Sequence, residues 1–78
     1  MAAGIWKQSA EGHADVYRGQ AERTFNIRNT SEVTIRIVLD GDEANGPLVD
    51  GGYSVVVAGS KIQIKNGSGG EGLWELLD

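Results

Sequence analysis

Seventy-eight residues, 40% of them hydrophobic, suffice for one small domain with a modest core. The chain has no cysteine, so neither a disulfide nor a thiolate zinc site can brace it. Eleven acidic against seven basic residues give a net charge of -4, and the cations never form a run, which disfavours nucleic acid and anionic membranes as partners.

No apolar run approaches the roughly 20 residues of a membrane span. The first residues, MAAGIWKQSAEG, lack the charged and hydrophobic regions of a signal peptide. Glycine stands at 12 of 78 against about 7% in average usage, with no collagen or repeat period. The glycines separate short runs rich in Val, Ile, Thr and aromatics, the punctuation of an all-β domain.

In chain order, residues 1–12 read as an arm or an edge strand, ahead of a single β domain over 13–78. Ile5 and Trp6 are large and apolar in a segment without clear periodicity, so Trp6 is expected either to anchor on a partner or to close the domain's own core. Gly12 and Gly19 bracket HADVYR, where Ala14 and Val16 alternate with His13, Asp15 and Tyr17, a strand pattern. TFNIRNTSEVTIRIVL reads as a hairpin turning at Asn29, Thr30 and Ser31. That register sets Ile27 opposite Val33, Phe25 opposite Ile35 and Arg28 opposite Glu32. Val38 interrupts the polar face of this hairpin, which predicts that part of that face is covered.

Residues 40–47 read as a loop, followed by a short edge piece at Leu48 and Val49. YSVVVAGSKIQIKN reads as a second hairpin with a type II′ turn at Gly59 and Ser60, pairing Val57 with Ile62 and Val55 with Ile64. After the loop 66–72, Trp74 and Leu76 alternate with Glu75 in a last strand, which should set Ile64 opposite Trp74 and Ile62 opposite Leu76. The sum is six or seven short strands without a helix. The expected fold is a small antiparallel β-sandwich or barrel.

KNGSGGEGLW, at 65–74, resembles a phosphate loop in glycine content only. A P-loop needs Lys-Ser/Thr after its last glycine and then a helix, whereas Gly72 is followed by Leu-Trp-Glu. Its glycines predict a mobile turn that binds no phosphate. DGDEANG places Asp40 and Asp42 at calcium-loop positions one and three. Ala44, Asn45 and Gly51 then stand where the pattern needs a ligand, a glycine and a glutamate, so a solvated acidic turn is the reading adopted.

His13 is the only histidine, near Asp15 and Ser9, but one short segment does not supply the converging side chains of a catalytic triad. The carboxylates sit in turns and at polar strand positions. Asn29 and Asn66 open Asn-x-Ser/Thr patterns, read as coincidences. No catalytic residue, metal ligand or cofactor is expected, and the chain is not read as an enzyme. Ile5, Trp6 and Tyr17 are the expected partner-binding residues; Trp6, Tyr17 and Trp74 could alternatively stack on a carbohydrate.

The order RTFNIRNTSEVTIRIVLDG, LVDGGYSVVVAGSKIQIKNG, GLWELLD, over about residues 23–77, resembles small all-β accessory proteins of tailed-phage virions. That resemblance implies a module that decorates or cements a capsid shell or forms a fibre base, a homo-oligomer located in the virion; without it, the expected location is cytoplasmic. Residues 25–77 also resemble the front half of aegerolysins, lipid-binding β-sandwiches with a similar strand and glycine-rich loop order. The two families imply different functions: docking on a protein assembly, or a carbohydrate- or lipid-binding module using exposed aromatics.

Overall fold

The computed structural model describes residues 2–8, 12–65 and 69–78. It is all-β: β1 (Ala3–Gln8), β2 (His13–Asn29), β3 (Ile35–Leu39), β4 (Leu48–Val49), β5 (Ser54–Lys65) and β6 (Gly70–Leu76). The six strands form one antiparallel sheet in the order β1-β6-β2-β5-β3-β4, curled into a half-barrel. The long strands β2 and β5 make this curvature possible, because each serves different neighbours along its length. On the concave side lie Trp6, Phe25, Ile27, Ile35, Ile37, Val57, Ile62 and Ile64, all buried. Burial of this apolar surface is the main stabilising term, at about 25 cal/mol per Å² removed from water.

The expected strand segments are all extended, but HADVYR and TFNI, expected as separate strands with a break at Gly19, both lie in the single strand β2, and three predicted pairings do not form. Residues 54–65 form one continuous strand rather than a hairpin at Gly59 and Ser60. Val57 lies opposite Phe25, and Ile62 opposite Tyr17 and Leu39. The apolar face changes parity between Val57 and Ile62, and a two-residue turn and an interrupted strand both produce that change. The interruption is visible: Arg18 pairs with Lys61 and Arg23 with Gly59, so residues 19–22 oppose Ser60 alone. Asp40 fills the gap from the other flank. Its Oδ1 accepts from Ser60 N at 3.0 Å, Ser60 Oγ at 2.8 Å and Lys61 N at 3.0 Å.

The predicted hairpin between 24–29 and 32–39 is also absent, because β5 is inserted between β2 and β3. Ile37 faces Ile64 instead, and Arg28 faces Ser54 and Leu73 instead of Glu32. The reason is Asn29. Its side chain is fully buried, and Nδ2 donates to Val33 O at 2.6 Å and Val49 O at 2.9 Å. Its Oδ1 accepts from Ser31 N at 3.0 Å and from Ser31 Oγ. What looked like a hairpin turn is a polar hub that sends the chain to the far flank of the sheet. The Asn-x-Ser pattern at Asn29 is thereby spent on structure; Asn66 lies outside the described residues.

Strand β6 pairs with β1 and β2, not with β5, so Trp74 faces Gly4 and Ile27 rather than Ile64. The expected mobile loop is shorter than 66–72. Gly70 to Gly72 belong to β6, while Asn66 to Ser68 lie outside the described residues. Val38 is buried as expected. The 40–47 segment returns along β3, with Ile37 N donating to Pro47 O and Arg36 Nη1 donating to Ala44 O and Gly46 O.

Of the two readings of the N-terminal segment, the described residues Ala3–Gln8 form the edge strand. Every residue of β1 pairs with β6 from Ala3–Glu75 to Gln8–Gly70. Trp6 is 3% exposed, and its Nε1 donates to Arg28 O at 3.3 Å. The pairing puts Trp6 opposite Gly72 and Trp74 opposite Gly4. A β-carbon on Gly72 would stand 1.9 Å from Arg28 O and 2.7 Å from Trp6; one on Gly4 would stand 2.7 Å from Trp74. Each indole therefore lies over the other strand's glycine, the aromatic cover that compensates glycine in a sheet.

Candidate functional site

The residues with catalytic potential are engaged in local structure. His13 Nε2 lies 3.3 Å from Glu43 Oε1, and Lys65 Nζ donates to the same oxygen. Asp15 accepts from Gln63 Nε2 at 2.7 Å and from Arg18 Nη2 at 3.4 Å. His13 and Asp15 thus serve different partners; Ser9 lies outside the described residues. The acidic turn is equally occupied. Asp40 has φ 53° and Gly41 φ 84°, a two-residue Asp-Gly turn in which Asp42 N donates to Leu39 O. Asp42 Oδ1 accepts from Ala44 N and Asn45 N. Among the described residues no group of three His, Cys, Asp or Glu could hold a metal.

These hydrogen bonds hold several carboxyls below the ordinary carboxylate range. The Ser60 hydroxyl does so first for Asp40, Gln63 for Asp15, Asn45 for Asp42, Lys65 for Glu43 and Arg23 for Asp78. A depressed folded-state pKa stabilises above the unfolded value, near 4, and that contribution is lost as pH falls through the folded value. We expect stability to decline below about pH 4.5. Asp40→Asn should flatten that decline, read from urea midpoints between pH 7 and pH 2.5. An unchanged slope would show that the Asp40 cap does not form.

The convex side offers a different kind of site. Ile5 is 78% exposed and lies directly opposite Leu73, also exposed. The row continues through Arg28 and Ser54; the next row runs Ala3, Glu75, Asn26, Val56. A shallow groove of about 220 Å³ lies between Ala3, Asn26, Arg28, Leu73 and Glu75, beside Gly4 and Trp74. A second groove of about 270 Å³, at the β4 end, lies between Leu48, Val49, Tyr53 and Val55, with Tyr53 68% exposed.

Of the three expected partner-binding residues, only Ile5 stands free on the surface. Trp6 points into the chain's own core, and a surface role for it would require β1 to leave the sheet. Tyr17 is half-buried, its ring 5.3 Å from Phe25 and its hydroxyl donating to Ala21 O at 2.9 Å. Trp74 packs edge-on against Phe25 at 5.7 Å. Sequence reading missed Leu73, yet the chain carries the signal. Gly4-Ile5-Trp6 and Gly72-Leu73-Trp74 repeat one pattern, and antiparallel pairing of the two necessarily sets Ile5 against Leu73 on the opposite face. Compared with protein-family models, curated proteins and solved structures, the chain matches none.

Proposed function

We propose that the chain is a non-enzymatic β module that docks on a protein assembly through the convex face of its β1–β6 end. One observation carries this reading. The fold buries Ile27, Ile35, Ile37, Ile62 and Ile64 completely, yet leaves Ile5 and Leu73 side by side in water. An apolar pair flanked by charged Lys7, Glu71 and Glu75 has the make-up of a small protein-binding patch with a polar rim. A multimeric shell, as the virion resemblance implies, would engage many such weak sites at once and gain through avidity.

The test is co-sedimentation with the particulate fraction of the native source, with the bound component identified by mass spectrometry. Wild type should pellet saturably with one defined assembly. Ile5→Asp combined with Leu73→Asp should lose at least tenfold in binding while remaining folded. Equal pelleting of wild type and the double variant would contradict the proposal.

Tyr53 favours a second reading. It is the one aromatic ring among the described residues that stands largely in solvent, and it borders the β4 groove. A carbohydrate- or lipid-binding module would use it as a stacking platform, since Trp6, Tyr17 and Trp74 are packed against the core. Saturable glycan or vesicle binding that Tyr53→Ala abolishes would establish that reading in place of the first.

A further inference from the structure

The edge of β1 carries information about its partner. Leu76 N donates to Ala2 O, which makes Ala2–Leu76 a rung that exchanges hydrogen bonds. Antiparallel ladders alternate, so Gly4–Trp74 and Trp6–Gly72 are bonded rungs as well. The backbone N–H and C=O groups of Ala3, Ile5 and Lys7 therefore point away from β6. Among the described residues no strand lies beyond β1. The strand carries neither proline nor bulge, and its only edge charge is Lys7, so little guards it against pairing with another strand.

We infer that a second copy of this chain adds to that edge, with β1 antiparallel to β1 about a two-fold axis through Ile5. The inference deepens the docking reading above and rests on it, in that both use the β1–β6 end. Three features select self-pairing over an arbitrary peptide. The outward-facing residues 3, 5 and 7 are symmetric about Ile5, so this one register satisfies all of them: Ile5 with Ile5, and Ala3 with Lys7 in both directions.

On the concave side the same register sets Trp6 beside the second copy's Gly4. The molecule already uses this large-against-small pairing twice, at Trp6–Gly72 and Trp74–Gly4. Trp6 leans over its own chain's Gly72, and Trp74 of the second copy over that copy's Gly4, so the row across the seam reads Gly72, Trp6, Gly4, Trp74 with no two large side chains directly opposite. On the convex side the row reads Glu71, Lys7, then the second copy's Ala3 and Glu75. Two strand spacings separate Lys7 from that Glu75, about 10 Å between backbones. A lysine and a glutamate side chain can close that gap across one alanine methyl. The interface is isologous, as closed dimers require, and it joins two half-barrel sheets edge to edge.

A contact of a few rungs is small, so the expected dimer is weak, with Kd between about 10 µM and 1 mM. Sedimentation velocity from low micromolar to millimolar concentration should show a monomer–dimer equilibrium. Ile5→Pro removes an N–H that faces away from β6, a position where an edge strand tolerates proline. It should weaken dimerisation at least tenfold while leaving the thermal midpoint within a few degrees. A wild type that stays monomeric at 1 mM, or an Ile5→Pro variant that dimerises as wild type does, would overturn the inference.

Cross-linking decides the matter even if Ile5→Pro unfolds. The chain contains no cysteine, and bonded opposite residues lie about 5.5 Å apart between Cα atoms, within disulfide reach. Ile5→Cys should oxidise to a covalent dimer at least tenfold faster than Leu73→Cys, which sits one strand further from the axis. Equal rates overturn the pairing. A monomeric chain that still pellets with the assembly refutes self-pairing and leaves docking standing; a dimer that never pellets does the reverse.

Discussion

Trp6→Ala should lower the unfolding free energy by about 3–5 kcal/mol, the usual cost of truncating a buried tryptophan. A chain of this length holds roughly 4–12 kcal/mol in total, so the variant should be near the edge of folding. The indole is 3% exposed, lies over Gly72 and donates to Arg28 O, so its removal leaves a cavity and a lost hydrogen bond together. Gly72→Ala should be comparably damaging for the opposite reason. Its methyl would sit 1.9 Å from a backbone oxygen, which cannot swing aside as a flexible side chain can. Gly59→Ala is the control, since its β-carbon meets nothing closer than 3.5 Å, an ordinary contact. Urea titration separates the cases. If β1 were a detached arm, Trp6→Ala would lie within about 0.5 kcal/mol of wild type, as surface changes do, whereas Gly72→Ala would still meet the Arg28 carbonyl of β2.

Asn29→Ala should cost about 2–5 kcal/mol, because it leaves the buried carbonyl of Val49 and the part-buried carbonyl of Val33 without their donor. Asn29→Asp should be worse at neutral pH. A carboxylate cannot donate, and it would set a buried negative charge against those two oxygens. Burial favours its neutral form, which can donate once, so the gap between Asn29→Asp and wild type should narrow as pH falls toward 4. Equal destabilisation by the Asp variant at pH 7 and pH 4 would contradict the hub assigned to Asn29.

Faces were legible in the sequence and neighbours were not. Alternation of Val55 with Val57, of Ile62 with Ile64 and of Ile35 with Ile37 correctly marked the buried side of each strand. It could not say which strand lies beside which, because a period of two constrains side-chain direction alone. Gly59-Ser60 has good turn chemistry, but pairing along both halves of β2 outweighs it and keeps β5 extended. Asn29-Thr30-Ser31 reads as a surface turn because buried asparagine is rare, and here the amide is completely enclosed. The Asp40-Gly41 turn was visible as a hairpin signal but was merged into a longer loop. Of the candidate site, Ile5 was legible as an apolar residue without a periodic place. Leu73 was hidden in a strand that seemed fully explained by Trp74 and Leu76.

Both the docking face and the self-pairing require β1 to be a fixed edge strand whose outer side is open. Amide hydrogen exchange at single-residue resolution, run at low micromolar concentration, tests that directly. The N–H groups of Gly4 and Trp6 face β6 and should be protected, while those of Ile5 and Lys7 should exchange at close to the unprotected rate. Fast exchange at all four would show an arm rather than a strand and would contradict the account.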